Sequence, residues 1–238
     1  MKNNKKIIIS ILLMLIIITG YMAFTYYNVN TYNKFYIESK PTVKEEIYEE
    51  KITELREKYK NDDVVGTISI ENTDFYTAIV QGKDNDFYLN HLPDKTYNIN
   101  GSIFLDYRVN IDESDKLLVF GHSSESYYLP IMIIENYADE SYYKDHKYIY
   151  IDSIKEEKVY EVFSAYVETS DFDYMKINYK TDEEKIAHYQ KLKNNSFYET
   201  GVEITKDDEI LLVQTCSTLK EYRKYPKKYM LVLAKRIK

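Results

Sequence analysis

The 238-residue chain has one cysteine, no tryptophan and only six glycines. One cysteine makes no intramolecular disulfide, so the fold is not stapled. With so little glycine there is no phosphate-binding loop. Basic residues are the minority charge: 32 Lys and Arg stand against 39 Asp and Glu, a formal charge of −7. That acidic balance argues against nucleic acid as a partner. The acidic runs "DES" at 112–114 and "KDDE" at 206–209 lack the ligand spacing of a calcium loop and read as solvated turn carboxylates, so no metal is expected. No motif asks for a cofactor.

Apolar residues and tyrosine are what the chain has in quantity. It is 44% hydrophobic and carries 27 tyrosines. The stretch "IIISILLMLIIITGYMAF", residues 7–24, is uncharged and near the lower length limit for a membrane-spanning helix. No small-residue cleavage pattern follows it, which favours an uncleaved signal anchor over a removed signal peptide. Lys2, Lys5 and Lys6 precede it, so the positive-inside rule puts residues 1–6 in the cytoplasm and the rest of the chain outside. Residues 25–62 read as a stalk with a helix in it. Within "KEEIYEEKITELREKYK", residues 44–60, Ile47, Ile52, Leu55 and Tyr59 recur at near-helical spacing. Residues 63–238 are long enough for one sizeable core.

From Val64 onward the pattern is of short strands. "VVGTISI", "FYTAIV", "GSIFLDY", "KLLVFG", "KYIYI", "KVYEVFSAYVE", "EILLVQT" and "YMLVLAKRI" are separated by turn-forming segments. About eight strands with few helices predict a mainly β domain, either a closed barrel or a sandwich. One helix interrupts them over 181–195, where Thr181 and Glu184 form a capping-box pair.

A lone thiol on an extracellular domain is either a buried small hydrophobe or a nucleophile. Cys216 stands at the end of the apolar run "EILLVQT". His122 stands directly after "KLLVFG", in the loop "HSSESYY". Two strand ends, one with a thiol and one with an imidazole, make a Cys–His pair if the fold brings them together. His188 lies on the charged helix and reads as a surface residue. His91 and His146 lie in polar turns and read as hydrogen-bonding residues.

These residues resemble the sortases, cell-surface cysteine transpeptidases of Gram-positive bacteria. "LLVQTC" resembles the sortase cysteine signature and "VFGHS" the histidine segment. "DVVGTISIENTDFYTAIVQGKDNDFYLNH", "GSIFLDYR" and "YETGVEITKDDEILLVQTCS" are similar to class B sortases in particular. The resemblance runs from about Asp63 to the C-terminus. It implies an eight-stranded barrel and a catalytic set carried over as His122, Cys216 and Arg223. Lys228 competes with Arg223 on position, because the family's arginine lies near the start of the last strand. The histidine segment departs from the family pattern with "HSS". Thr215 and Ser217 flank the cysteine and are expected to shape the substrate site. Tyr174, Tyr179 and Tyr198, in the long connection before the cysteine strand, are expected to wall a peptide groove.

The implied reaction is cleavage of a C-terminal sorting motif of surface proteins after Thr, before Gly or Asn. A thioacyl-enzyme then passes the Thr carbonyl to an amine of a peptidoglycan precursor. Two other readings stay open on sequence: a cysteine hydrolase that releases surface proteins, and a non-catalytic surface interaction domain.

Overall fold

In the computed structural model, residues 2–38 and 48–238 are described. Helix α1 (Lys2–Glu38) contains the apolar N-terminal stretch, and α2 (Tyr48–Tyr59) precedes the barrel. The strands are β1 (Val64–Ile70), β2 (Tyr76–Val80), β3 (Phe104–Leu105), β4 (Lys116–Phe120), β5 (Tyr148–Ser153), β6 (Glu157–Glu168), β7 (Ile210–Cys216) and β8 (Tyr229–Arg236). Two more helices sit in connections: α3 (Glu140–Asp145) and α4 (Asp182–Asn194). The strands close into a barrel in the order β1-β2-β3-β4-β7-β8-β6-β5, and β5 pairs with β1. The expected eight-stranded, mainly β barrel is therefore the fold.

All neighbouring strands are antiparallel except β2–β3 and β4–β7. The β4–β7 pair decides where function sits. Both strands read as nearly unbroken apolar runs because both are buried on two faces. They run in the same direction, from Lys116 opposite Ile210 to Phe120 opposite Gln214, so their C-terminal ends emerge side by side.

The helices attach to this frame through their apolar faces. In α2, Ile52, Leu55 and Tyr59 are buried against β1 and β5. Ile47, assigned to the same face, lies outside the described residues. In α1, a 25-residue segment from Ser10 to Lys34 has mean hydropathy 1.7, long and apolar enough to cross a membrane. The helix does not stop at Phe24. It continues to Glu38, so the first part of the expected stalk is helical, and it docks on the domain. The Asn28 carbonyl accepts from Asn98 Nδ2 at 3.1 Å, and Tyr32 packs with Leu92, Leu129 and Met132.

Helix α4 begins at Thr181, whose hydroxyl accepts from the Glu184 amide at 3.2 Å. The Glu184 carboxylate reaches past Thr181 to the Lys180 amide, so the box closes one residue early. His188 on this helix is not a surface residue. It is 7% exposed, and its Nδ1 pairs with the Tyr179 hydroxyl at 2.7 Å. The charges of the helix misdirect the reading: His188 belongs with Tyr189 and Leu192 on the face that meets the barrel.

Below it, the buried Lys116 ammonium donates to the carbonyls of Tyr174 and Lys176 at 2.6 and 2.9 Å. This pins the β6–β7 connection to β4. Glu209 is also not a solvated turn carboxylate. It pairs with the fully buried Lys158 at 2.9 Å and with Arg236 at 3.0 Å, and it accepts from the Tyr160 hydroxyl.

Candidate active site

The site is built where β4 and β7 end. The ladder between them continues for one more residue: the Gly121 amide donates to the Gln214 carbonyl at 3.2 Å. The Thr215 hydroxyl then donates to the Gly121 carbonyl at 2.9 Å. Thr215 thus ties the residue before Cys216 to the residue before His122. Its side chain is buried, so its contact is with the partner strand end and not with an open groove.

Beyond these ties the two functional side chains separate from the core. Cys216 is exposed although Val213 and Thr215 are buried, because the strand pleat turns it outward at the end of β7. His122 is half-buried, and its Nε2–H donates to the Leu89 carbonyl at 2.7 Å. That bond fixes the neutral tautomer, leaving Nδ1 as the nitrogen free to accept a proton. Gly101 sits behind this acceptor with φ +57°, and a Cβ there would lie 2.6 Å from the Leu89 carbonyl oxygen. Glycine at this place leaves room for the carbonyl that holds His122. No hydrogen bond joins the thiol to the imidazole among the described residues, and such contacts commonly tighten only in the loaded enzyme.

The turn after Cys216 is held from three sides. The Ser217 amide donates to the Lys228 carbonyl at 2.7 Å, one step past the Cys216–Tyr229 pair that ends the β7–β8 ladder. The Ser217 side chain is buried, and its hydroxyl accepts from the Leu219 amide at 3.3 Å. The amide and hydroxyl of Thr218 both donate to the Glu135 carboxylate. Glu135 comes from the 3-10 stretch Pro130–Ala138, which packs under the sheet. Although the residue is exposed at its edge, the protein packed around the sulfur takes part of its water away and pushes the Cys216 thiol above its usual range; the Lys228 ammonium pulls it down and Glu135 pushes it up.

Arg223 ends the short 3-10 turn Lys220–Tyr222 and is exposed. Among the described residues its guanidinium makes no hydrogen bond or ion pair. Lys228 is different: its side chain is 23% exposed, and its Nζ lies 3.3 Å from Glu125 Oε1, three residues beyond His122.

An aromatic shelf adjoins the thiol. Tyr229 faces Cys216 across the ladder, and the ring of Phe172 lies 5.4 Å from it and that of Tyr174 6.3 Å. The Lys227 ammonium stands 4.8 Å over the Phe172 ring. Phe172 is 46% exposed and Tyr174 only 1%. Burial is the main force raising the Tyr174 and Tyr229 phenols, and the nearby Cys216 sulfur adds to both.

The expectation for the groove wall is therefore corrected. Tyr174 is buried behind Phe172. Tyr179 bonds His188 and the Lys176 carbonyl. Tyr198 packs on the core and donates to the Tyr137 carbonyl at 2.9 Å. A tyrosine's large apolar ring favours burial wherever its hydroxyl finds a partner. Phe172, Tyr229 and Glu135 carry no local signal; only pairing between segments far apart in the sequence brings them to the thiol.

His91 and His146 hold turns, each bonded to a carbonyl four residues back and stacked on an aromatic ring. Among the described residues there is no group of three or more His, Cys, Asp or Glu that could hold a metal ion.

No family model matches the chain. It is 32% identical over 173 residues to sortase B of Listeria monocytogenes, which covers 72% of this chain and 70% of the relative. The fold is similar to that of a Staphylococcus aureus sortase B–substrate complex, with TM-score 0.71, 28% identity, and coverage of 80% and 86% of the two chains. It is also similar to a sortase B complexed with triglycine, with TM-score 0.71, 25% identity, and coverage of 92% and 98%.

Proposed function

Because this chain belongs to the sortase B family, and is a cysteine transpeptidase of that family, we propose that Cys216 is its nucleophile and His122 its general acid and base. The observation that carries this reading is the parallel β4–β7 ladder, extended by the Thr215–Gly121 bond, which ends with one residue on each side. The Cys216 thiolate attacks the carbonyl of the scissile bond, and the carbonyl electron pair moves onto oxygen. The His122 imidazolium gives its proton to the leaving amine as the C–N bond breaks. An incoming amine loses its proton to His122 and displaces the sulfur. Hydrogen-bond donors or a positive charge hold the oxyanion between these steps. Arg223, from the resemblance, and Lys228 are the two candidates on the turn after Cys216.

The substrate class follows the relatives. One solved sortase B is described with a substrate and another with triglycine. For this chain the proposed substrates are surface proteins with a C-terminal sorting motif cut between Thr and Gly or Asn. The proposed acceptor is an amine of a peptidoglycan precursor. The exposed Phe172 and half-buried Tyr229 support a peptide lying beside the thiol. The proposed setting is the cell membrane: residues 1–6 inside, 7–24 in the bilayer within α1, 25–62 linking, and the catalytic domain 63–238 outside. The length and apolarity of α1 support it.

The test is partition of a sorting-motif peptide between water and triglycine. Rising triglycine is expected to divert product from hydrolysis to ligation without slowing peptide cleavage. Cleavage with no ligated product at any amine concentration would make the chain a hydrolase.

A further inference from the structure

We infer that Lys116 is a positioning residue for substrate binding: its buried side chain holds the 3-10 turn Asp173–Met175 so that Phe172 stands beside the Cys216 thiol. The inference rests on the transpeptidase reading above and deepens its account of the peptide wall. Lys116 opens β4, whose other end leads to His122, and it is 2% exposed. Lysine is rarely buried so completely without a partner of opposite charge. Among the described residues no carboxylate pairs with this one. A methionine would fill the same space with no charge to desolvate, so what the lysine adds there is its donors. They go to the Tyr174 carbonyl at 2.6 Å and the Lys176 carbonyl at 2.9 Å. The carbonyl between them, of Met175, accepts from Arg108 Nη2 at 3.3 Å. Three successive carbonyls of one short segment are thus held by two cations.

These bonds reach the thiol in two further steps. Within the turn the Phe172 carbonyl accepts the Met175 amide at 2.9 Å, so Phe172 is tied to the residues that Lys116 holds. The Phe172 ring lies 6.2 Å from that of Tyr174 and 5.4 Å from that of Tyr229, the residue paired with Cys216. A hydrogen bond or a ring contact therefore marks every step from the start of β4 to the cysteine. Burial holds the Lys116 pKa down at about 7, with Asp173 opposing the fall and Arg108 adding to it. The neutral amine still has two N–H groups, enough for both carbonyls. On its other side the turn is held by the Asp173–Lys191 pair at 2.7 Å, a surface pair that water weakens. Without Lys116, two buried acceptors go unpaired and the turn lifts to reach water, taking Phe172 away from the thiol.

The test uses the full-length protein in detergent. The chain has no tryptophan, so Phe172→Trp puts a lone fluorophore on the wall and reads its order with no substrate present. In that background Lys116→Met is expected to lower the emission anisotropy and shift the emission to the red. With Phe172 in place, Lys116→Met is expected to raise KM for cleavage of a sorting-motif peptide about tenfold while kcat stays within about twofold, the pattern of lost binding. Phe172→Ala is expected to raise KM as well, and Lys116→Met to add little to it, because the two act through one contact. Lys116→Gln, with a shorter stem and an N–H donor kept, is expected to show the same changes in smaller degree. Unchanged anisotropy overturns the inference. So does a KM increase that adds in full to that of Phe172→Ala, a loss confined to kcat, or loss of the thermal transition in both Lys116 variants. Each of those outcomes leaves the transpeptidase reading standing. Failure of the wild type to be acylated at Cys216 removes that reading, and the inference with it.

Discussion

Burial raises the Cys216 thiol above its ordinary range, and the Lys228 ammonium offsets only part of the rise while Glu135 adds to it. Only the thiolate attacks, so the free enzyme holds most of its nucleophile in reserve as the thiol. Its alkylation rate is therefore expected to climb about tenfold per pH unit through neutrality and to keep climbing past the ordinary thiol value of about 8.5. A plateau below that value would contradict the reading of this environment. The place of Cys216 at a strand end was legible in the sequence, because the apolar run stops there; the sequence leaves its exposure open, and the structure supplies it. His122 was legible for the same reason. The groups that set their chemistry were not. The Leu89 carbonyl and Glu135 lie 33 and 81 positions away from the residues they serve, and nothing local announces them.

At the scale of elements, the β6–β7 connection is the part whose construction the sequence concealed. Its helix is legible from its capping pair, but its charges hide the role of His188. That imidazole is buried with Tyr179 at Nδ1, Asp173 3.6 Å from Nε2, and Lys116 nearby. Burial holds its pKa down at about 4; Lys116, Lys176 and Lys191 also lower it, and Asp173 opposes them. The sign follows from linkage. The unfolded chain takes up the proton near pH 6.5, whereas the folded protein resists until about 4, so neutral His188 contributes stability above about 6.5. That contribution is lost as the pH falls from about 6.5 toward 4. Melting temperatures at pH 7 and pH 5 are expected to differ more for the wild type than for His188→Gln. An equal difference in both proteins would show that His188 does not titrate in this way. The strands were more legible, because the apolar runs of β4 and β7 follow directly from burial on two faces. Their order around the barrel was not, since the parallel β4–β7 pairing joins segments with about 90 residues between them.

At the scale of the molecule, helix α1 docks directly on the barrel. Helix α1 continues past its apolar segment, and Tyr32 packs against Leu92, Leu129 and Met132. Leu129 and Met132 lie on the connection that leaves His122, and Leu92 follows the segment that supplies the Leu89 carbonyl. The end of α1 therefore buttresses both segments that hold the histidine. If α1 crosses the membrane with its N-terminus inside, protease added to protoplasts is expected to digest the domain and leave a short N-terminal fragment in the membrane. Protection of the domain until the cells are lysed would reverse that topology.

The central claim is that Cys216 becomes acylated by its substrate. Its most direct measurement is intact-protein and peptide-map mass spectrometry of the enzyme quenched in acid after mixing with a sorting-motif peptide and no amine. The account predicts an added mass equal to the peptide acid ending at its Thr residue less one water, mapped to Cys216 and discharged on addition of triglycine. Peptide turnover with no adduct on Cys216, or an adduct on another residue, would contradict it.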